Sequence, residues 1–172
     1  ATPLTHTFID LGFAPPSNAY LTAEDLNRPE KYYPLKTMVC DQCWLVQTED
    51  HAAVNELFSP DYAYFSSTST SWLAHAARFA EHIIPQLALT RNSLVIEIAA
   101  NDGYLLKNFV AAGIPCLGIE PTASTAAAAK ALGIPVLQEF FGAALADALA
   151  VAQVQADLII GNNVYAHVPD IN

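Results

Sequence analysis

The chain has 172 residues, 53% hydrophobic and 14% charged, which is enough apolar content to bury a core and argues against intrinsic disorder. Seventeen acidic residues against seven basic ones give a formal net charge of −10, so the basic surface that phosphate backbones and anionic lipids require is missing, and nucleic-acid and membrane partners are set aside. No apolar run reaches the roughly 20 residues of a membrane span and ATPLTHTFID lacks a basic region followed by an apolar one, so a cytoplasmic protein is expected.

Residues 1–60 are rich in Pro, Tyr, Asp and Asn, with short strand-like pieces such as TFIDLG and LVQ, and read as a small, loop-rich, β-containing module. From residue 61 to 90 the pattern becomes helical: Trp72, Ala76, Phe79, Ile83 and Leu87 recur at spacings of three and four, with Pro85 kinking or ending the helix. Residues 91–172 alternate. The strand candidates 94–99, 115–120, 134–138 and 156–161 are separated by helical stretches, two of which end in Gly113 and Gly133 as helix C-caps do. This order predicts an α/β domain with a parallel sheet and right-handed crossovers.

Cys40 and Cys43 form CDQC, half of a zinc site by spacing. A structural zinc takes four ligands; His6 and His51 are available, although their spacing does not demand it. A redox dithiol fits less well, because the pair is not set in a thioredoxin-like βαβ pattern.

In a doubly wound sheet ligands gather at the carboxyl ends of the strands, which brings Ala99–Gly103, Glu120–Thr122, Gln138–Phe141 and Gly161–Asn163 to one crevice. The first loop, AANDG, lacks the G-x-G-x-x-G that brings backbone close to a pyrophosphate, which disfavours NAD. Glu97, Asn101 and Asp102 suit a zwitterionic amino-acid group, and Glu120, at the end of the next strand, suits two ribose hydroxyls. Asp102 as a plain helix N-cap and Glu97 as a plain strand-end acid are the competing readings.

After the fourth strand, Asn162 and Asn163 can bind ligand or cap the next segment, and His167 has the pKa range for acid–base work or for a hydrogen bond to a substrate hydroxyl. YAYFSSTSTSW, residues 62–72, reads either as an N-capping loop with Ser69 or Thr70 as cap, or as a lid in which Tyr64 reaches a bound group.

Taken together, FIDLGFAPPSNAYL, YYPLKTMVCDQCWLVQ, YAYFSSTSTSW, VIEIAANDGYLL, LGIEPT, EFF and NNVYAHVPDIN, in this order and over nearly the whole chain, resemble the S-adenosylmethionine-dependent C-methyltransferases of deoxysugar biosynthesis. The resemblance implies a zinc-binding module followed by a Rossmann-like (class I methyltransferase) domain and then a further domain. It implies that Glu97, Asn101, Asp102 and Gly103 face the methionine part of the cofactor. Glu120, with Pro121 beside it, would face the ribose, and Phe140 the adenine region. Asn163 and His167 would lie toward the transferred methyl and the sugar, with Tyr64 closing over them, and Asn162 is counted with the cofactor-binding residues.

Two departures set further expectations. Only the second of the family's two CxxC pairs is present, as Cys40 and Cys43, and the chain stops at Asn172 before the later strands of a methyltransferase sheet. A fragment cut at both ends is expected, with an incomplete sheet, an incomplete zinc site, no general base of its own, no turnover alone and a tendency to self-associate through exposed strand edges. The intact enzyme is expected to methylate C3 of a nucleotide-linked keto-deoxysugar through an enolate. A nicotinamide-dependent oxidoreductase and a non-catalytic binding fragment are the alternatives.

Overall fold

The structure, a computed structural model, describes residues 2–168, leaving aside the side chains of Val54, Asn55 and Ala166. The last four residues of the NNVYAHVPDIN segment, 169–172, lie outside the described residues. The chain divides into two compact units, Ala1–Ser59 and Pro60–Asn172.

The first unit is a three-stranded antiparallel sheet, β1 (His6–Ala14), β2 (Tyr33–Val39) and β3 (Val46–Thr48), in the order β1-β2-β3, followed by a single helical turn, α1 (Val54–Leu57). Its register slips between Thr7 and Ile9 and between Asp10 and Phe13, so β1 carries bulges that re-aim its side chains. With so short a sheet little can be buried: Met38 and Cys40 are, whereas Phe8, Leu11 and Phe13 are exposed. Glu56 accepts hydrogen bonds from Lys31 Nζ at 2.5 Å and from Tyr33 Oη at 2.8 Å, tying the helical turn to the start of β2.

The second unit begins with α2 (Thr70–Gln86), capped by Ser69, whose side chain accepts from Trp72 N at 3.3 Å. Pro85 lies inside the helix, which ends one residue later; the ring removes a donor only where the last turn is already closing. Ala76 and Ala80 are buried, with Trp72, Leu73, Phe79, Ile83 and Ile84 packed against the same core. Leu87 falls outside the helical stripe that its spacing suggested: it is the C-cap and is half exposed.

The α/β part follows as β4 (Val95–Ile98), α3 (Leu106–Ala111), β5 (Cys116–Ile119), α4 (Ala123–Ala131), β6 (Val136–Leu137), α5 (Ala143–Val151) and β7 (Leu158–Gly161). All pairings are parallel, in the order β6-β5-β4-β7, so the chain steps outward twice and then returns to the other side of β4. That reversal beside β4 is the topological switch point at which such sheets bind ligands. Gly113 (φ 71°) and Gly133 (φ 80°) end their helices in the left-handed region, where a side chain would be strained.

Along β4 the pleat sends Val95 toward the core that contains Phe109 and Ile160, and Ile96 toward the opposite face, where it borders a cavity with Leu149 and Ile159. A strand flanked on both sides should be apolar throughout. Glu97, fully buried in the middle of it, is the exception.

Candidate functional site

Glu97 has no solvent exposure, and among the described residues neither of its carboxylate oxygens has a hydrogen-bond partner. Burial pushes its pKa well above the ordinary value; the nearby Tyr104 hydroxyl opposes that shift, and the Asp102 and Glu120 carboxylates add to it. Tyr104 is itself buried, which, with the Glu97 charge beside it, raises its phenol to about 12. Its oxygen accepts from Asn162 Nδ2 at 3.0 Å, and its ring stacks on Trp72 with centroids 5.9 Å apart. Asn162, foreseen as a ligand residue, thus spends part of its amide on fixing Tyr104.

The loop after β4 is tight without being glycine-rich. Ala99 (φ 56°), Asn101 (φ 50°) and Gly103 (φ 78°) all lie in the left-handed region, which Asn tolerates and Ala adopts at a cost of about 1–2 kcal/mol. Gly103 is required for another reason as well. A Cβ there would stand 2.5 Å from Ile134 Cδ1 and 3.2 Å from Ala129 Cα, so the loop is pressed against α4 and the segment after it. The one glycine of AANDG serves internal packing, not close approach to a phosphate.

Asp102 is not an N-cap, since Leu105 holds that position in α3. Its Oδ2 accepts from Ser67 N at 3.0 Å, while Oδ1 is buried without a partner. Asn101 is engaged at three atoms: its backbone N–H donates to Glu120 Oε2 at 2.9 Å, its Oδ1 accepts from Ser66 N at 2.9 Å, and its Nδ2 donates to Tyr64 O at 3.0 Å. Glu120, at the end of β5, also accepts from Thr122 N at 3.0 Å and from the Thr122 hydroxyl, both through Oε1. A carboxylate has about four acceptor positions, so three are already filled and one remains on Oε2 for an incoming hydroxyl. A two-oxygen grip on a ribose would need the Thr122 hydroxyl to turn away, toward Thr125, to which it is already hydrogen-bonded.

Pro121 is half-buried beside Glu120, Gly103 is buried, and Phe140 and Asn163 are exposed at the ends of their strands, Asn163 with φ 51°. His167 is exposed on a 3-10 turn, Tyr165–His167, after β7. Tyr64 is half exposed on the segment that precedes α2, its ring 6.5 Å from that of Tyr62. Among the described residues, three buried carboxylate oxygens in and after β4, two on Glu97 and one on Asp102, are without a partner. Orphaned acceptors of this kind call for a ligand that brings N–H donors and positive charge. An α-ammonium supplies both, so the residues present fit the amino-acid end of S-adenosylmethionine.

In the first unit, Cys40 is buried at the end of β2 and Cys43 is exposed in the turn that follows. The turn closes through Trp44 N to Cys40 O and Cys40 N to Leu45 O, both 3.0 Å, with Trp44 at φ 63°. Backbone N–H groups of Cys43 and Gln42 beside the Cys40 sulfur lower its pKa. Among the described residues no group of three or more His, Cys, Asp or Glu side chains is gathered, so two ligands are what this turn offers.

Sequence reasoning missed Ser66, Ser67 and Tyr104. Ser66 and Ser67 act through backbone N–H groups, which carry no residue signature, and they meet Asn101 and Asp102 from 35 positions away. Tyr104 was visible in NDGYLL, but nothing there shows that its hydroxyl reaches β7.

The second unit is thus a Rossmann-like α/β domain, and the first is a small β module that carries a Cys-x-x-Cys turn. Comparison with known proteins narrows the class. Residues 1–58 match the model of a methyltransferase family described as a "putative zinc binding domain". The chain is also similar to the C-methyltransferase NovU of Streptomyces niveus, with 29% identity over 164 residues that make up 95% of this chain and 39% of that protein. The chain spans about two fifths of the length of that relative. Among the described residues no helix is long and apolar enough to cross a membrane.

Proposed function

We propose that the chain is the zinc-module and cofactor-binding part of an S-adenosylmethionine-dependent C-methyltransferase that acts on a nucleotide-linked keto-deoxysugar. The observation that carries the reading is the set of buried, unpartnered oxygens of Glu97 and Asp102, a receptor for an ammonium in a protein similar to a C-methyltransferase. Glu97 and Asp102 Oδ1 would hold the ammonium, Glu120 one ribose hydroxyl through Oε2, and Phe140 would border the adenine. When bound, the cofactor supplies a methyl group on a positively charged sulfur.

The remaining work belongs to the protein and the acceptor. A carbon next to a sugar keto group is acidic enough to lose a proton, and the enolate so formed is the nucleophile. His167 and Tyr64 are assigned to hydrogen bonds with the enolate or sugar oxygens, where donors stabilise the developing charge. Cys40 and Cys43 are assigned to a structural zinc completed by ligands beyond this pair. The net charge of −10 supports a small-molecule acceptor rather than a polyanion, and the free thiol pair suits a cytoplasmic setting.

Calorimetric titration with S-adenosylhomocysteine and with NAD tests the reading. Binding of S-adenosylhomocysteine with a clear preference over NAD is expected; preference for NAD, or no binding of S-adenosylhomocysteine, overturns it.

A further inference from the structure

The segment 62–68, which carries Tyr64, has no strand or long helix to hold it. It is instead tied down by hydrogen bonds that come from the crevice itself. Ser124, in the first turn of α4, donates through its hydroxyl to Tyr62 O at 2.9 Å and through its amide to Pro60 O at 3.2 Å. Further along, Asn101 grips the backbone twice, accepting from Ser66 N at 2.9 Å and donating to Tyr64 O at 3.0 Å, and Asp102 Oδ2 accepts from Ser67 N at 3.0 Å. Ser66 is buried and its bond to Asn101 Oδ1 is shielded from water, so losing that bond leaves an unpaired group.

Each bond on the crevice side starts from a residue that also answers to the cofactor site. Asn101 sits in a left-handed turn whose amide is fixed by Glu120, and Asp102 keeps its other oxygen unpartnered beside Glu97. A shift of the 99–103 loop therefore moves both the ligand-facing oxygens and the anchor of Tyr64. The geometry points to Asn101 and Asp102 as positioning residues: they place the Tyr64-bearing strap, and through them the occupied cofactor loop sets the acceptor side of the crevice. This rests on the cofactor reading above and adds an order to it, with the strap fully set only once the cofactor loop is filled.

Hydrogen–deuterium exchange at the Ser66 and Ser67 amides of the full chain tests this, with and without saturating S-adenosylhomocysteine. In the wild type the ligand is expected to slow exchange at both amides by about threefold or more. Asn101→Gly, which keeps the left-handed backbone without strain, should speed exchange at Ser66 about tenfold and abolish the ligand effect there, with β4 and α3 unchanged. Asn101→Asp retains the acceptor for Ser66 N and should restore most of the protection at Ser66. The inference is overturned if the ligand binds but leaves both amides unchanged, or if Asn101→Gly exchanges like the wild type. Absence of any ligand binding instead defeats the cofactor reading, and an Asn101→Asp protein that exchanges as fast as Asn101→Gly defeats the role given to the Asn101 oxygen.

Discussion

Asn101 donates its backbone N–H to Glu120 Oε2 at 2.9 Å, joining the loop after β4 to the end of the neighbouring strand β5. The carboxylate offered by sequence as a ribose ligand is thus also the clamp that holds the left-handed turn of the neighbouring loop.

Glu120→Ala should accordingly damage the site before any ligand is present. It leaves Asn101 N and Thr122 N without their acceptor among buried groups, while the Thr122 hydroxyl keeps Thr125 as a partner. Each buried group left unpaired costs about 1–3 kcal/mol. Equilibrium urea unfolding should show a loss of at least that size together with weaker binding of S-adenosylhomocysteine. A variant as stable as the wild type would show that these bonds hold nothing.

Stability should depend on pH through Glu97. Its pKa in the folded protein lies well above the ordinary 4.5, chiefly because the charged form is desolvated. The folded state therefore keeps a proton that the unfolded chain releases. Its stabilising contribution is full below about 4.5 and is lost as the pH rises through the folded value. Urea midpoints measured across that window should fall with pH in the wild type and be flatter in Glu97→Gln.

The same group should make ligand binding a proton-releasing event. An ammonium beside the carboxylate favours its charged form and lowers its pKa, so a Glu97 that is protonated in the free protein loses its proton on binding. Calorimetry of S-adenosylhomocysteine in buffers of different ionisation enthalpy should report proton release below the folded pKa of Glu97 and much less in Glu97→Gln. Proton uptake in the wild type would contradict the placement of the ammonium.

Gly103→Ala combines two penalties. The left-handed backbone at φ 78° costs an alanine about 1–2 kcal/mol, and its Cβ would meet Ile134 Cδ1 at 2.5 Å. Ile134→Val removes that terminal carbon. Unfolding of the double variant should therefore show less destabilisation than the sum of the two single changes, while strict additivity would deny the contact.

The thiols should separate by chemistry. Cys40 has its pKa lowered by backbone N–H groups, chiefly that of Cys43, and Cys43 is exposed, whereas burial raises the Cys116 thiol. Alkylation followed by mass spectrometry should modify the CDQC pair first. Added zinc should protect Cys40 and Cys43 together without altering Cys116; protection of neither would remove the half-site from the metal reading.

The sequence by itself determined what is local and periodic. Helical spacing from Trp72 to Ile83 marked the buried face of α2, Gly113 and Gly133 marked helix ends, and the alternation of apolar runs with Ala-rich stretches set a parallel sheet with its crevice at the loops after the strands. The sequence also named Glu97, as an acid suited to a zwitterionic group, but its complete burial inside a strand covered on both faces is a finding of the structure. Only the tertiary structure decided how the crevice residues divide their bonds. Asn101 holds the backbone of Tyr64 and Ser66, Asp102 gives one oxygen to Ser67 N and leaves the other without a partner among the described residues, Glu120 keeps one acceptor position open, and Asn162 fixes Tyr104. The physical reason is that a side chain's type states how many hydrogen bonds it can make, whereas their partners are set by backbone groups brought close by folding. Those N–H and C=O groups are the same for every residue and leave no trace in the sequence.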